Sequence, residues 1–138
     1  MEKIKVQIGW SENNYSACTD DYERLGGLVV ATGKTFDDIK KAFLSALKFH
    51  IQGCIADGDA LPKWLQSGNY ELEYQFSAAA LLHRLDGIVT RSAIARATGI
   101  NQKQISHYAS GYRKPRPAQR KRIVNGIHHI SNELASVV

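Results

Sequence analysis

Apolar and polar residues alternate from the start of the chain. Ile4, Val6, Ile8 and Trp10 are interleaved with Lys3, Lys5, Gln7 and Gly9, the period-two pattern of a strand that buries one face. "SENN" follows as a turn, and "YSACT" and "GLVVATG" predict two more short strands between polar or glycine-containing segments. At Thr35 the period changes. Thr35 and Asp38 have capping-box-like spacing, and Phe36, Ile39, Phe43, Ala46, Leu47, His50, Ile51 and Cys54 fall on one helical stripe that runs to Gly53 or slightly beyond. "ADGDALPKW" reads as a loop, after which Tyr70, Leu72, Tyr74 and Phe76 alternate with Glu71, Glu73 and Gln75 as a last strand. The smallest arrangement that buries both stripes is one sheet with one helix on a single face. Its other face is then solvated, paired with another copy or covered by a partner.

From residue 77 the texture is helical. Ser77 can cap a helix that carries Leu81, Leu82, Leu85 and Ile88, with Gly87 at its end. "TRSAIARATGINQKQISHYASG" has Thr90 as N-cap, Ile94, Ala95 and Ala97 as a short apolar face, Gly99 as a turn and Asn101 as a second N-cap. This predicts helix, tight turn, helix. Pro117 suits the first position of a final helix, whose stripe of Ile123, Ile127, Ile130, Leu134 and Val137 either closes the small domain or extends into a dimer seam.

Charge separates the two halves. Residues 1–76 hold 8 Lys+Arg against 11 Asp+Glu, and residues 77–138 hold 10 against 2, within an overall +5. Such asymmetry marks the C-terminal half as the part that meets a polyanion. No stretch approaches the ~20 apolar residues of a membrane span, and no apolar leader opens the chain, so a cytoplasmic protein is expected. Cys18 and Cys54 lack the spacing of a zinc site or a disulfide framework and read as reduced structural thiols.

Catalytic constellations are lacking in the pattern. The first strand carries no carboxylate for metal-dependent nuclease chemistry, Asp37 and Asp38 suit a helix N-terminus, and Asp57 and Asp59 belong to a loop. His50 lies on a core stripe, His128 and His129 are adjacent and so face different ways, and no phosphate-cradling glycine loop occurs. No enzyme activity, metal or cofactor is therefore expected.

The chemistry that does stand out is that of a DNA reader. With Ile100 and Ile105 turned inward, Gln102, Lys103, Gln104, Ser106 and His107 face out of the second helix of the pair. These are types that bond base edges in a major groove. Arg91, on the preceding helix, and Arg113, Lys114 and Arg116, on a loop stiffened by Pro115 and Pro117, are the expected DNA-backbone contacts.

Residues 77–130 resemble the XRE/Cro-type helix-turn-helix family in "TRSAIARATGINQKQIS", "ASG" and "RKPRP", and residues 3–76, with "VVATGKTFDDIKKAFLSALKFHIQG", resemble the N-terminal domain of HicB antitoxins. The combination is similar to HicB antitoxins of the helix-turn-helix class. The resemblance implies a degenerate ribonuclease H-like domain that binds and silences HicA, a small basic toxin that cleaves mRNA, and a DNA-binding half that represses its own operon. Where that family often carries a Pro-Gly-Cys-like segment this chain has "DDYERLGGL", so no toxin contact is transferred there. The expected fold class is an α+β N-terminal domain (β-β-β-α-β, one sheet with one helix) in residues 1–76, followed by an all-α helix-turn-helix domain in residues 77–138. The expected partners are operator DNA, the toxin and a second copy of the chain in a homodimer or higher oligomer. The competing reading is a stand-alone repressor whose N-terminal domain senses a small ligand.

Overall fold

The computed structural model describes residues 1–138. They form two compact units, Met1–Ser77 and Ala78–Val138.

The first unit is built on β1 (Glu2–Ser11), β2 (Asn14–Thr19), β3 (Val29–Gly33) and β4 (Tyr70–Phe76), in the spatial order β3-β2-β1-β4. β1 and β2 form a hairpin closed by the Ser11–Asn14 pair, with Glu12 and Asn13 both at positive φ, the twist that suits a two-residue loop between right-twisted strands. β3 pairs antiparallel to β2, whereas β4 lies parallel to β1 with Ile4, Val6 and Ile8 opposite Leu72, Tyr74 and Phe76. A parallel neighbour requires a long crossover. The main element of that crossover is the long helix α2 (Phe36–Ala56), capped by the Thr35 hydroxyl, which accepts from the Asp38 amide at 3.0 Å.

Alternation and helical period meet in one core. Ile4, Val6, Ile8, Tyr15 and Ala17 of the sheet are buried, as are Ile39, Phe43, Leu47, Ile51 and Cys54 of α2. Gly33 ends β3 where a Cβ would stand 2.8 Å from the Ile39 backbone nitrogen, so only glycine lets the strand turn directly into the helix.

The expected fold class is overturned here. Instead of β-β-β-α-β with one helix and then an all-α domain, the chain is an α+β fold with a four-stranded mixed sheet and seven helices, and three of those helices lie among its strands. The additions are α1 (Tyr22–Leu25), which separates β2 from β3, and α3 (Lys63–Gln66), which precedes β4. Each has four residues, too few to show a helical period, and each buries one side chain, Leu25 or Leu65. α1 is fastened by Arg24, which donates to Asp21, Glu2 and the Lys3 carbonyl at 2.6, 3.0 and 2.9 Å.

The second unit comprises α4 (Ala78–Leu85), α5 (Arg91–Thr98), α6 (Gln102–Ser110) and α7 (Pro117–Ala135). Leu82, Ile94, Ile100, Ile105, Tyr108, Ala109 and Ile123 make its core. α5 and α7 meet at Gly126, where a Cβ would lie 2.5 Å from the Thr98 methyl. Of the apolar stripe on α7, Ile123 is buried and Ile127 and Ile130 pack against this core, while Leu134 and Val137 are exposed. No helix of either unit is long and apolar enough to cross a membrane.

Candidate nucleic-acid interface

Capping defines the helix pair. Thr90 accepts from the Ala93 amide at 3.0 Å to start α5, and Gly99, at φ 72°, ends it. Asn101 accepts from the Lys103 amide at 2.8 Å to start α6, which Gly111, at φ 80°, ends. These polar caps and left-handed glycines satisfy backbone groups that a helix end leaves open. The turn between them is short enough for Ile100 to enter the core beside Ile94 and Ile105.

Burial of Ile105, Tyr108 and Ala109 turns the opposite side of α6 outward. Gln102 and Lys103 are exposed there and Ser106 and His107 half-buried. Their spacing of one, three and one residues puts all four on one face, as i and i+4 neighbours. The His107 ring packs against Tyr112 with centroids 5.0 Å apart, and the Arg113 guanidinium lies 5.7 Å from the Tyr112 ring centroid. The loop after α6 is held back toward that helix by the Arg113 amide, which donates to the His107 carbonyl at 3.2 Å.

Two expected site residues sit elsewhere. Gln104 falls on the neighbouring stripe above Tyr108, half-buried, and its amide donates to the Tyr108 hydroxyl at 2.9 Å. Arg91 is 3.4 Å from Asp86, which also lies 3.5 Å from His83. The structure therefore brings Gln102, Lys103, Ser106 and His107 together, and groups Gln104 with the loop cations.

That second group lines a cavity of about 450 Å³, bounded by Gln104, Tyr108, Arg113, Lys114, Arg116 and Gln119. No carboxylate pairs with Arg113, Lys114 or Arg116. Arg116 is itself the N-cap of α7, whose first turn contains no acidic residue, so the positive end of the helix adds to the same field. Tyr108 and Gln119 were not among the residues expected at the site. The i, i+4 spacing of Gln104 and Tyr108 was a visible signal for the first, whereas Gln119 arrives only through the packing of α7.

The first unit offers no comparable cluster. No group of three or more His, Cys, Asp or Glu side chains is placed to hold a metal ion anywhere in the chain. His50 lies 2.7 Å from the Leu25 carbonyl and 3.6 Å from the Cys54 sulfur. Burial, and then the Asp59 and Asp57 carboxylates, push the Cys54 thiol above its ordinary value, which leaves it protonated and unreactive at neutral pH. On the sheet face away from α2, Lys3 is paired with Glu71 and Glu73 at 3.6 and 3.9 Å and Gln7 donates to Gln75 at 3.1 Å.

No family model, no curated protein and no solved structure matches this chain.

Proposed function

We propose that the chain is a sequence-specific DNA-binding repressor of the antitoxin kind, whose second unit reads an operator and whose first unit binds and silences a small basic toxin of the HicA type. The observation that carries the DNA reading is the outward face of α6. Gln102, Lys103, Ser106 and His107 supply hydrogen-bonding groups for base edges beside three cations that have no acidic partner. Arg113, Lys114 and Arg116 hold the duplex by its phosphates while the α6 face enters the major groove. Exposed Leu134 and Val137 near the end of α7 support pairing of two copies on adjacent half-sites.

Support for the toxin partner is the excess of carboxylates in residues 1–76, which complements a basic protein and speeds its encounter. The two open edges of the sheet, β3 and β4, offer unpaired backbone groups for strand addition.

Selection of duplexes from a random library with the full chain, followed by co-expression with small basic proteins encoded beside it, tests both halves. Enrichment of paired half-sites and rescue of growth from one such toxic neighbour support the proposal. A defined operator without any neutralised toxin favours the stand-alone repressor, and failure to enrich any sequence removes the DNA reading.

A further inference from the structure

The cavity between α6 and the start of α7 contains a hydrogen-bond relay that converges on the Tyr108 hydroxyl. Arg122 can only donate, and it does so twice, to the Thr98 carbonyl at 3.0 Å and to Gln119 Oε1 at 2.9 Å. With its oxygen so engaged, Gln119 presents its NH₂ group to the Tyr108 hydroxyl at 3.4 Å. Gln104 presents its own NH₂ group to the same hydroxyl at 2.9 Å. A hydroxyl has two acceptor sites and one proton. Both acceptor sites of Tyr108 are taken by amides, so its proton is left to donate, and the cavity it borders is otherwise walled by Arg113, Lys114 and Arg116.

Apart from the two glutamines engaged with Tyr108, the polar groups lining this space are a hydroxyl and three cations, and such a lining is complementary to an oxyanion. We infer that it is a binding site for one phosphate of the DNA backbone, with the Tyr108 hydroxyl as a neutral donor and with Gln104 and Gln119 positioning that hydroxyl. Gln104 is then assigned to the backbone, while Gln102, Lys103, Ser106 and His107 read bases. The assignment rests on the DNA reading above, because a free phosphate offers the same oxygens.

Tyr108 is only 4% exposed, so its ring belongs to the core, and Tyr108→Phe keeps the ring while deleting the donor. The test uses the duplex enriched from the random library, synthesised as a set in which each phosphate in turn is replaced by a neutral methylphosphonate. Removing one good phosphate contact weakens binding about tenfold. The wild-type chain is expected to lose that factor at one phosphate per half-site. Tyr108→Phe should lose part of that factor on the unmodified duplex and show a smaller further loss when that phosphate is replaced, the remainder coming from Arg113, Lys114 and Arg116. Gln119→Ala, at a half-buried position, provides a second variant and should blunt the same sensitivity, and both variants should enrich the same base sequence as the wild type.

Full methylphosphonate sensitivity retained in Tyr108→Phe overturns the inference and leaves the DNA reading intact. So does a changed base preference in Tyr108→Phe, which would return Gln104 to the base-reading group. Inorganic phosphate at constant ionic strength is the control for the other source. If millimolar phosphate raises the melting temperature of the wild type but not of Tyr108→Phe, and the duplex profiles of the two coincide, the site takes a free anion and the backbone assignment fails. A library that enriches no sequence overturns the DNA reading and this inference together.

Discussion

Gly126 shows how far a single hydrogen atom matters in this chain. In an exposed helix, replacing glycine by alanine gains about 1 kcal/mol, but a Cβ here would lie 2.5 Å from the Thr98 methyl. Thr98 cannot swing aside, because its hydroxyl donates to the Ile94 carbonyl at 2.8 Å and accepts from the Ile100 amide at 3.1 Å. The clash outweighs the propensity gain, and Gly126→Ala should lower stability by about 1–2 kcal/mol, readable as a lower urea midpoint. An unchanged or higher midpoint would mean that α5 and α7 can separate without penalty. At the interface, Gln102→Ala should cost about 1–3 kcal/mol on the enriched duplex and relax one base pair. Lys114→Ala should weaken binding to every sequence alike. Equal losses for Gln102→Ala on enriched and scrambled DNA would remove it from the base-reading face. The chemical types of these residues were legible in the sequence. The placement of Gln104 was not, because side chains two positions apart on a helix differ by more than half a turn, and the partner that decides its direction, Tyr108, is a core residue with a polar tip.

Among the elements, the long ones declared themselves. α2 has a 21-residue span and a five-residue buried stripe, and the hairpin announced itself through alternation on both sides of a polar turn. Its start is equally plain in the threonine cap, and Thr35→Ala should cost about 1 kcal/mol, seen as a lower denaturation midpoint with an unchanged slope. A change in slope would instead point to a chain that no longer unfolds as it did. What escaped were α1 and α3, since one helical turn contributes one buried side chain and no repeat. The parallel placement of β4 escaped as well. Its alternation identifies a strand, but its neighbour is 68 residues away, as the Gln7–Gln75 bond shows, and no local pattern encodes a partner at that distance.

For the molecule as a whole, charge and protonation set two measurable responses. If two copies each engage phosphates through Arg113, Lys114 and Arg116, the logarithm of the binding constant should fall against the logarithm of salt with a slope of about −5. A slope shallower than about −2 would detach these cations from the DNA. The second response is alkaline. Burial raises Cys54 above its ordinary 9.0 and Tyr70 and Tyr74 above 10.0, so the folded chain keeps protons that the unfolded chain releases. Stability is then full below pH 9.0 and declines as pH rises toward the folded-state values. The urea midpoint should drop as pH rises above about 9, by less in Cys54→Ala than in the wild type. An equal drop in both would mean that this thiol is not among the groups responsible.

The β1–β4 pairing also sets a timetable for synthesis. β1 gains β2 as a neighbour as soon as the hairpin leaves the ribosome, but the strand on its other side is made 68 residues later, roughly 3 to 14 s at ordinary elongation rates. Through that interval β1 presents its own edge where β4 will later pair, a template for pairing with another copy.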